Sequence, residues 1–280
     1  MRGILHAMSP ALTAYVGRTG DRNPRAMAAA RLLGDTLAGV LHQPCTVLGE
    51  PSPPRALGWA DELAQARPSL LALAAHVAGR LAAGHGLVSA TGRCATSLAT
   101  LPVVARLRPD AQVVWFDAHG DCNTPDTTTS GYLGGLVLTG AAGWWDTGLG
   151  AGLTLDRVVL VGARDLDPAE QALIDRGVLR HVPAGLHVAE RLQATLGDGP
   201  VYVHVDCDVL DPGLVPTEYQ VPGGLSFADL HATCEVLARH ELVGLEIAEV
   251  EATWPGSDEP VPVSPLLQAL GPLLRGLGGR

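Results

Sequence analysis

Short apolar runs recur along this 280-residue chain, and each is separated from the next by a segment with helical periodicity. The runs are Leu12–Val16, Cys45–Leu48, Leu87–Ala90, Gln112–Phe116, Arg157–Val161, Tyr202–Val205 and Leu242–Ile247. After the first of them, Met27, Ala30, Leu33, Leu37 and Val40 recur at i+3 and i+4, which marks one face of a helix. Asn23 and Pro24 would open it as N-cap and first-turn proline. Similar patterns occupy Leu70–Leu81, Ala95–Leu107, Ala169–Ile174, Val188–Leu196, Phe227–Arg239 and Pro265–Leu274. Strands that alternate with helices at this spacing form a mostly parallel sheet with helices on both faces, the α/β class. No repeat, composition break or Gly/Ser-rich linker divides the chain, so one domain over residues 1–280 is expected. In such sheets ligands sit beyond the carboxyl ends of the strands, which makes the residues just past each run the ones to inspect.

Composition removes several kinds of chemistry. All 19 basic residues are arginine; without a lysine there is no Schiff base and no P-loop. The arginines are dispersed and the net charge is −10, which speaks against nucleic acid or an anionic membrane as partner. The five cysteines are scattered without a CxxC pair, so neither a disulfide framework nor a zinc knuckle is expected. No apolar stretch is long enough to span a bilayer. The leading segment is interrupted by Ser9 and Pro10 and reads as the approach to a first strand, not a signal peptide, which leaves the cytoplasm as the expected location.

Two acidic clusters follow two of the strands. Asp117-Ala118-His119-Gly120-Asp121 comes after Gln112–Phe116, and Asp206-Cys207-Asp208 after Tyr202–Val205. Side chains two apart along a strand share a face, so Asp117 pairs with His119 and Asp206 with Asp208, while Asp121 turns in from the loop. Carboxylates gathered so closely repel unless cations lie between them. Carboxylate and imidazole ligands suit Mn²⁺ and similar ions, and a pair of such ions would bring the ionisation of a shared water to neutral pH.

The two clusters resemble the DAHxD and DxDxxDP signatures of the arginase, or ureohydrolase, family, and the resemblance runs in family order from about Leu87 to Glu251. It implies a three-layer α/β/α fold, two Mn²⁺ per subunit and hydrolysis of a guanidino compound. Asp117 and Asp206 would bridge the metals, His119 and Asp208 would complete one site, and Asp121 would serve the other while hydrogen-bonding the attacking solvent. Glu249, in Gly244-Leu245-Glu246-Ile247-Ala248-Glu249-Val250, would pair with the guanidino group, a fork of donors that a carboxylate matches. Asn123, Thr128 and Ser130 fall where the family holds an α-carboxylate, and Asp167 and Glu170 where it receives an α-ammonium. The implied partner is a small guanidino amino acid; relatives form homo-oligomers.

Two positions depart from the family pattern. Cys94 stands where a metal-binding histidine is usual, so the metal on that side is expected to bind weakly or be absent, thiolate being softer than manganese prefers. Gly134 stands where arginases carry a histidine that moves protons, and Tyr132 replaces an asparagine. Such a site should be poor with arginine, whose guanidinium stays protonated at neutral pH. An N-hydroxyguanidine is less basic and needs less help. These features resemble the branch of the family that cleaves Nω-hydroxy-L-arginine to L-ornithine and hydroxyurea for D-cycloserine biosynthesis. The alternatives are an arginase-type enzyme releasing urea, or a degenerate arginase-like ligand-binding protein.

Overall fold

The computed structural model describes residues 9–278. Eight strands, β1 (Ala11–Tyr15), β2 (Cys45–Leu48), β3 (Leu87–Thr91), β4 (Gln112–Phe116), β5 (Val158–Val161), β6 (Arg180–Val182), β7 (Val201–Asp206) and β8 (Leu242–Ala248), form one sheet. Every neighbouring pair is parallel, and the order is β2-β1-β3-β8-β7-β4-β5-β6. The strands expected from the sequence are present, most with an end moved by a residue. The short edge strand β6 is an addition: Arg180 and His181 are only partly buried, so it has no apolar signature to read.

Helices cover both faces. On one side lie α1 (Arg25–Leu41), α6 (Val188–Thr195), α7 (Phe227–Leu237), α8 (Ser264–Ala269) and α9 (Gly271–Leu277), packed on inward residues such as Val203, Val205, Leu245 and Ile247. On the other lie α2 (Trp59–Ala82), α3 (Ser97–Leu107), α4 (Val137–Ala142) and α5 (Pro168–Asp175), packed on Trp115, Leu160 and Tyr202. The three-layer α/β arrangement is therefore present. Helix α2 begins eleven residues before the expected Leu70, because Leu63 and Ala66 extend the buried stripe. Its Pro68 is exposed, so the carbonyl that loses a partner can be met by water. The C-terminal helical stretch is divided at Leu270, with Pro272 in the first turn of its second piece. The N-cap of α1 falls on Pro24, not Asn23, and Pro24 has no polar side chain to cap with; Asn23, one residue earlier, accepts from the Arg25 amide through its Oδ1 at 2.9 Å. Among the described residues no helix is long and apolar enough to cross a membrane.

The register sets up the site. Ala90, Ile247, Val205 and Phe116 lie side by side across the four central strands β3, β8, β7 and β4. The segments that follow them leave the sheet at one level and on one edge.

Candidate active site

Four neighbouring strand ends deliver the acidic side chains to one place. Asp117 leaves β4, Asp206 ends β7, Glu249 follows β8, and Cys94 lies just past β3. His119 Nδ1 lies 3.2 Å from Asp117 Oδ1 and 3.1 Å from Asp208 Oδ2. Cys94 Sγ lies 3.0 Å from Asp206 Oδ2. Among the described residues three groupings have ligand atoms within 4.8 Å of one another: Asp117 with His119 and Asp208, Cys94 with Asp117 and Asp121, and Cys94 with Asp206 and Glu249. The first two share Asp117, as a bridging carboxylate requires. Backbone donors fix the remaining oxygens, with the Ala118 amide on Asp208 and the Asp208 amide on Asp206. Asp121 and Glu249 both hold left-handed backbone, at φ 49° and 65°, an uncommon state for non-glycine residues that concentrates at functional sites.

The electrostatics fit cations. Burial, and then neighbouring carboxylates, raise Asp121 and Asp206 well above the ordinary carboxylate range, and Asp208 is raised for the same reasons. Burial pulls the His119 imidazole down, but Asp117 and Asp208 outweigh it and push it up to about 12. A proton thus sits between two carboxylates where a metal ion would be better placed. Burial, Asp206 and Glu249 likewise raise the Cys94 thiol far above its usual value. Positive charge brought to this point relieves all of these groups together.

Behind Cys94 is a buried polar network. His204 Nε2 lies 3.1 Å from Cys94 Sγ, and His204 Nδ1 lies 3.2 Å from Ser97 Oγ. Ser97, Thr100 and Tyr202 all donate to Glu246 Oε2, and Trp115 stacks on the His204 ring at 3.6 Å. His204 had a detectable signal, since it shares the face of Asp206; Glu246 had none apart from being an acid inside an apolar strand.

Arg93, with no exposed surface, sits on the other flank. Its guanidinium reaches Asp21 Oδ1 at 3.1 Å, Glu249 Oε2 at 2.7 Å and Glu218 Oε2 at 2.6 Å. The Cys94 amide donates to Glu249 Oε1 at 2.8 Å. Both oxygens of Glu249 are thus engaged from within the protein. Sequence reasoning gave Arg93 no role; an arginine just past an apolar strand was the available sign.

A cleft of about 230 Å³ opens onto these groups, lined also by Asn123, Thr129, Ser130, Tyr132, Gly134, Asp165, Asp167, Glu170 and Tyr219. Thr128 is not in the lining. Its hydroxyl turns back to accept the Gly131 amide at 3.1 Å, and Thr129 faces Asp167 instead. Asn123 Nδ2 also donates to Asp167, at 2.8 Å. Glu170 is buried and accepts from the Cys122 and Asp167 amides, so it holds the loop against α5 as well as lining the cleft. At Gly134, a Cβ would stand 2.5 Å from Cε1 of Tyr132. The tyrosine ring therefore fills the space that a side chain at 134 would need.

The model of the "Arginase family" matches residues 24–258. The chain belongs to the arginase family. Its enzymes are dimetal ureohydrolases acting on guanidino compounds. Within the family it is 44% identical over 205 residues to the N(omega)-hydroxy-L-arginine amidinohydrolase of Streptomyces lavendulae, covering 73% of this chain and 75% of that protein. The match to an arginase of Schizosaccharomyces pombe is 30% over 194 residues, covering 62% of this chain and 59% of that one. Among solved structures, Entamoeba histolytica arginase in complex with L-ornithine superposes with a TM-score of 0.81 at 23% identity, over 96% of this chain and 99% of that one. The arginase of Bacillus caldovelox does so with a TM-score of 0.73 at 25% identity, over 98% and 99%. The family, the fold and the amidinohydrolase class agree with the sequence reading.

Proposed function

We propose that the protein, acting as a single domain in the cytoplasm, hydrolyses the guanidino C–N bond of Nω-hydroxy-L-arginine to L-ornithine and hydroxyurea, with the hydroxyurea drawn into D-cycloserine biosynthesis. The observation that carries this reading is the joint departure at Cys94, Tyr132 and Gly134, where a tyrosine ring occupies the room of the arginase proton-shuttling histidine. The 44% identical amidinohydrolase supports it.

In this reading two Mn²⁺ would be held by Asp117 and Asp206 as shared ligands, with His119 and Asp208 completing one site and Cys94 and Asp121 the other. Cations held there supply Lewis acidity and bring the ionisation of a water within reach of neutral pH. Asp121 would hydrogen-bond the attacking solvent. Glu249 accepts N–H groups of the guanidine and aligns its carbon. Asn123, Thr128 and Ser130 receive the α-carboxylate, and Asp167 and Glu170 the α-ammonium. These contacts fix the substrate at its far end, so that binding remote from the reacting bond orients the bond itself. The burial of the carboxylates excludes bulk water and strengthens each polar contact.

The test is ornithine release from hydroxyarginine and from arginine at equal enzyme. A clear preference for hydroxyarginine is expected; equal or arginine-favoured turnover would return the protein to the arginases. Tight binding of both with no release of urea or hydroxyurea under Mn²⁺, Co²⁺ or Ni²⁺ would make it a binding protein.

A further inference from the structure

We infer that Arg93 is a resident guanidinium that sets the charge of the group Glu249 accepts, so that the site takes an uncharged guanidine and disfavours a guanidinium. The inference rests on the reading of Glu249 as partner of the substrate's guanidino group. Arg93 stands two residues past the end of β3 and is fully buried, and its Nη1 lies 2.7 Å from Glu249 Oε2. The next residue along, Cys94, donates its amide to Glu249 Oε1 at 2.8 Å. Arg93 also pairs with Glu218 Oε2 at 2.6 Å and Asp21 Oδ1 at 3.1 Å, and two of the surrounding anions are shared with other donors. Glu251 is drawn off by Arg25 Nε at 2.7 Å and Asn23 Nδ2 at 2.7 Å, and Asp21 by the Thr19 amide at 2.9 Å. Glu249 is therefore the carboxylate that joins Arg93 to the cleft, and it alone of the four faces the substrate space.

Each carboxylate oxygen has a second lone pair, so Glu249 can still accept an N–H from a ligand. What it has lost is part of its unopposed negative charge, because Arg93 divides its own charge between Glu249, Glu218 and Asp21. A substrate guanidinium would place a second like charge across one carboxylate from Arg93, in a buried site where screening is weak. A neutral N-hydroxyguanidine offers the same fork of donors without that repulsion. Arg93 thus acts through Glu249 as a positioning residue, and specificity comes from a built-in repulsive element as much as from attraction.

The probes are L-arginine and L-citrulline, which share the α-amino acid end and chain length and differ in carrying a cation or a neutral ureido group. Calorimetry on the protein with its bound metal should show citrulline binding at least as tightly as arginine. Arg93→Met should move the affinity ratio at least tenfold toward arginine, and Arg93→Lys, which keeps the charge, should leave it near the wild-type value. A wild-type protein that binds arginine tenfold more tightly than citrulline overturns the inference without any variant, which covers the case in which Arg93→Met does not fold. An unchanged ratio in folded Arg93→Met overturns it as well. Ornithine assays on the same samples separate the two readings. Hydroxyarginine turnover with an unmoved ratio removes the role of Arg93 alone, and a ratio that shifts without any turnover removes the substrate assignment alone.

Discussion

A thiol buried between a carboxylate and an imidazole keeps its proton unless a cation takes the proton's place. Cys94 is in that situation, with Asp206 and His204 on its sulfur and its own ionisation raised far above the ordinary thiol. Loading the protein with Co²⁺ should therefore produce a sulfur-to-cobalt charge-transfer absorption that disappears in Cys94→Ser. His204→Gln, which leaves the sulfur in place and alters the group that orients it, should weaken that metal about 10–100-fold in chelator competition while the His119-side metal keeps its affinity. A second pair of residues is coupled by space instead of charge. Because the Tyr132 ring lies where a side chain on Gly134 would go, Gly134→His alone must drive the ring away from its contacts with Arg22 and Tyr219. The single variant should lose about 1–3 kcal/mol of stability by overpacking, and Tyr132→Asn with Gly134→His should recover most of it. Urea melts of the two singles and the double would show this non-additivity, and additive losses would count against it.

At the level of elements, the sheet register decides what can meet. The strand runs, their helical connections and the acidic residues past β4 and β7 are all local patterns, and they were legible because the site uses strand ends, where periodicity stops and chemistry begins. What the sequence could not expose is pairing across the chain. The partners of Arg93 come from Asp21 before α1, Glu218 after β7 and Glu249 after β8, and no local rule links them. The bond that the Thr128 hydroxyl accepts from the Gly131 amide depends on a turn that composition does not encode. The start of α5 offers an element-scale prediction. Burial raises Glu170 there to about 7, against the pull of its two backbone donors. The folded protein then binds a proton that the unfolded chain, with a pKa near 4.5, releases. Stability from this group is therefore greatest at low pH and is lost as pH rises from about 4.5 to about 7. In chelator-treated protein the wild type should lose stability between pH 5 and 7 more steeply than Glu170→Gln, by at most about 1.4 kcal/mol per pH unit. Parallel slopes in urea titrations would show that Glu170 does not titrate in that range.

For the molecule as a whole, the balance of charge ties stability to metal. The chain carries −10 formally and has no lysine, and it concentrates Asp117, Asp121, Asp206 and Asp208 in one buried cluster. With no cation present, burial and mutual repulsion hold Asp121, Asp206 and Asp208 toward their protonated forms, so folding above their unfolded pKa works against ionisation. Bound metal reverses that sign. At a concentration one hundred times its Kd, an ion that binds only the folded state adds about 2.7 kcal/mol, which for a chain of this size corresponds to roughly 5 °C in Tm. Asp206→Asn separates the two effects. It removes one charge from the cluster and, with it, a proposed metal ligand. The metal-free variant should melt above metal-free wild type at pH 7, the two should converge as pH falls toward 4, and added Mn²⁺ should stabilise wild type but barely move the variant. Calorimetric scans with and without chelator measure all three. If Asp206→Asn lowers the metal-free Tm at pH 7, the carboxylates are held by contacts other than the absent cations, and the cluster would have to be reread as a structural network.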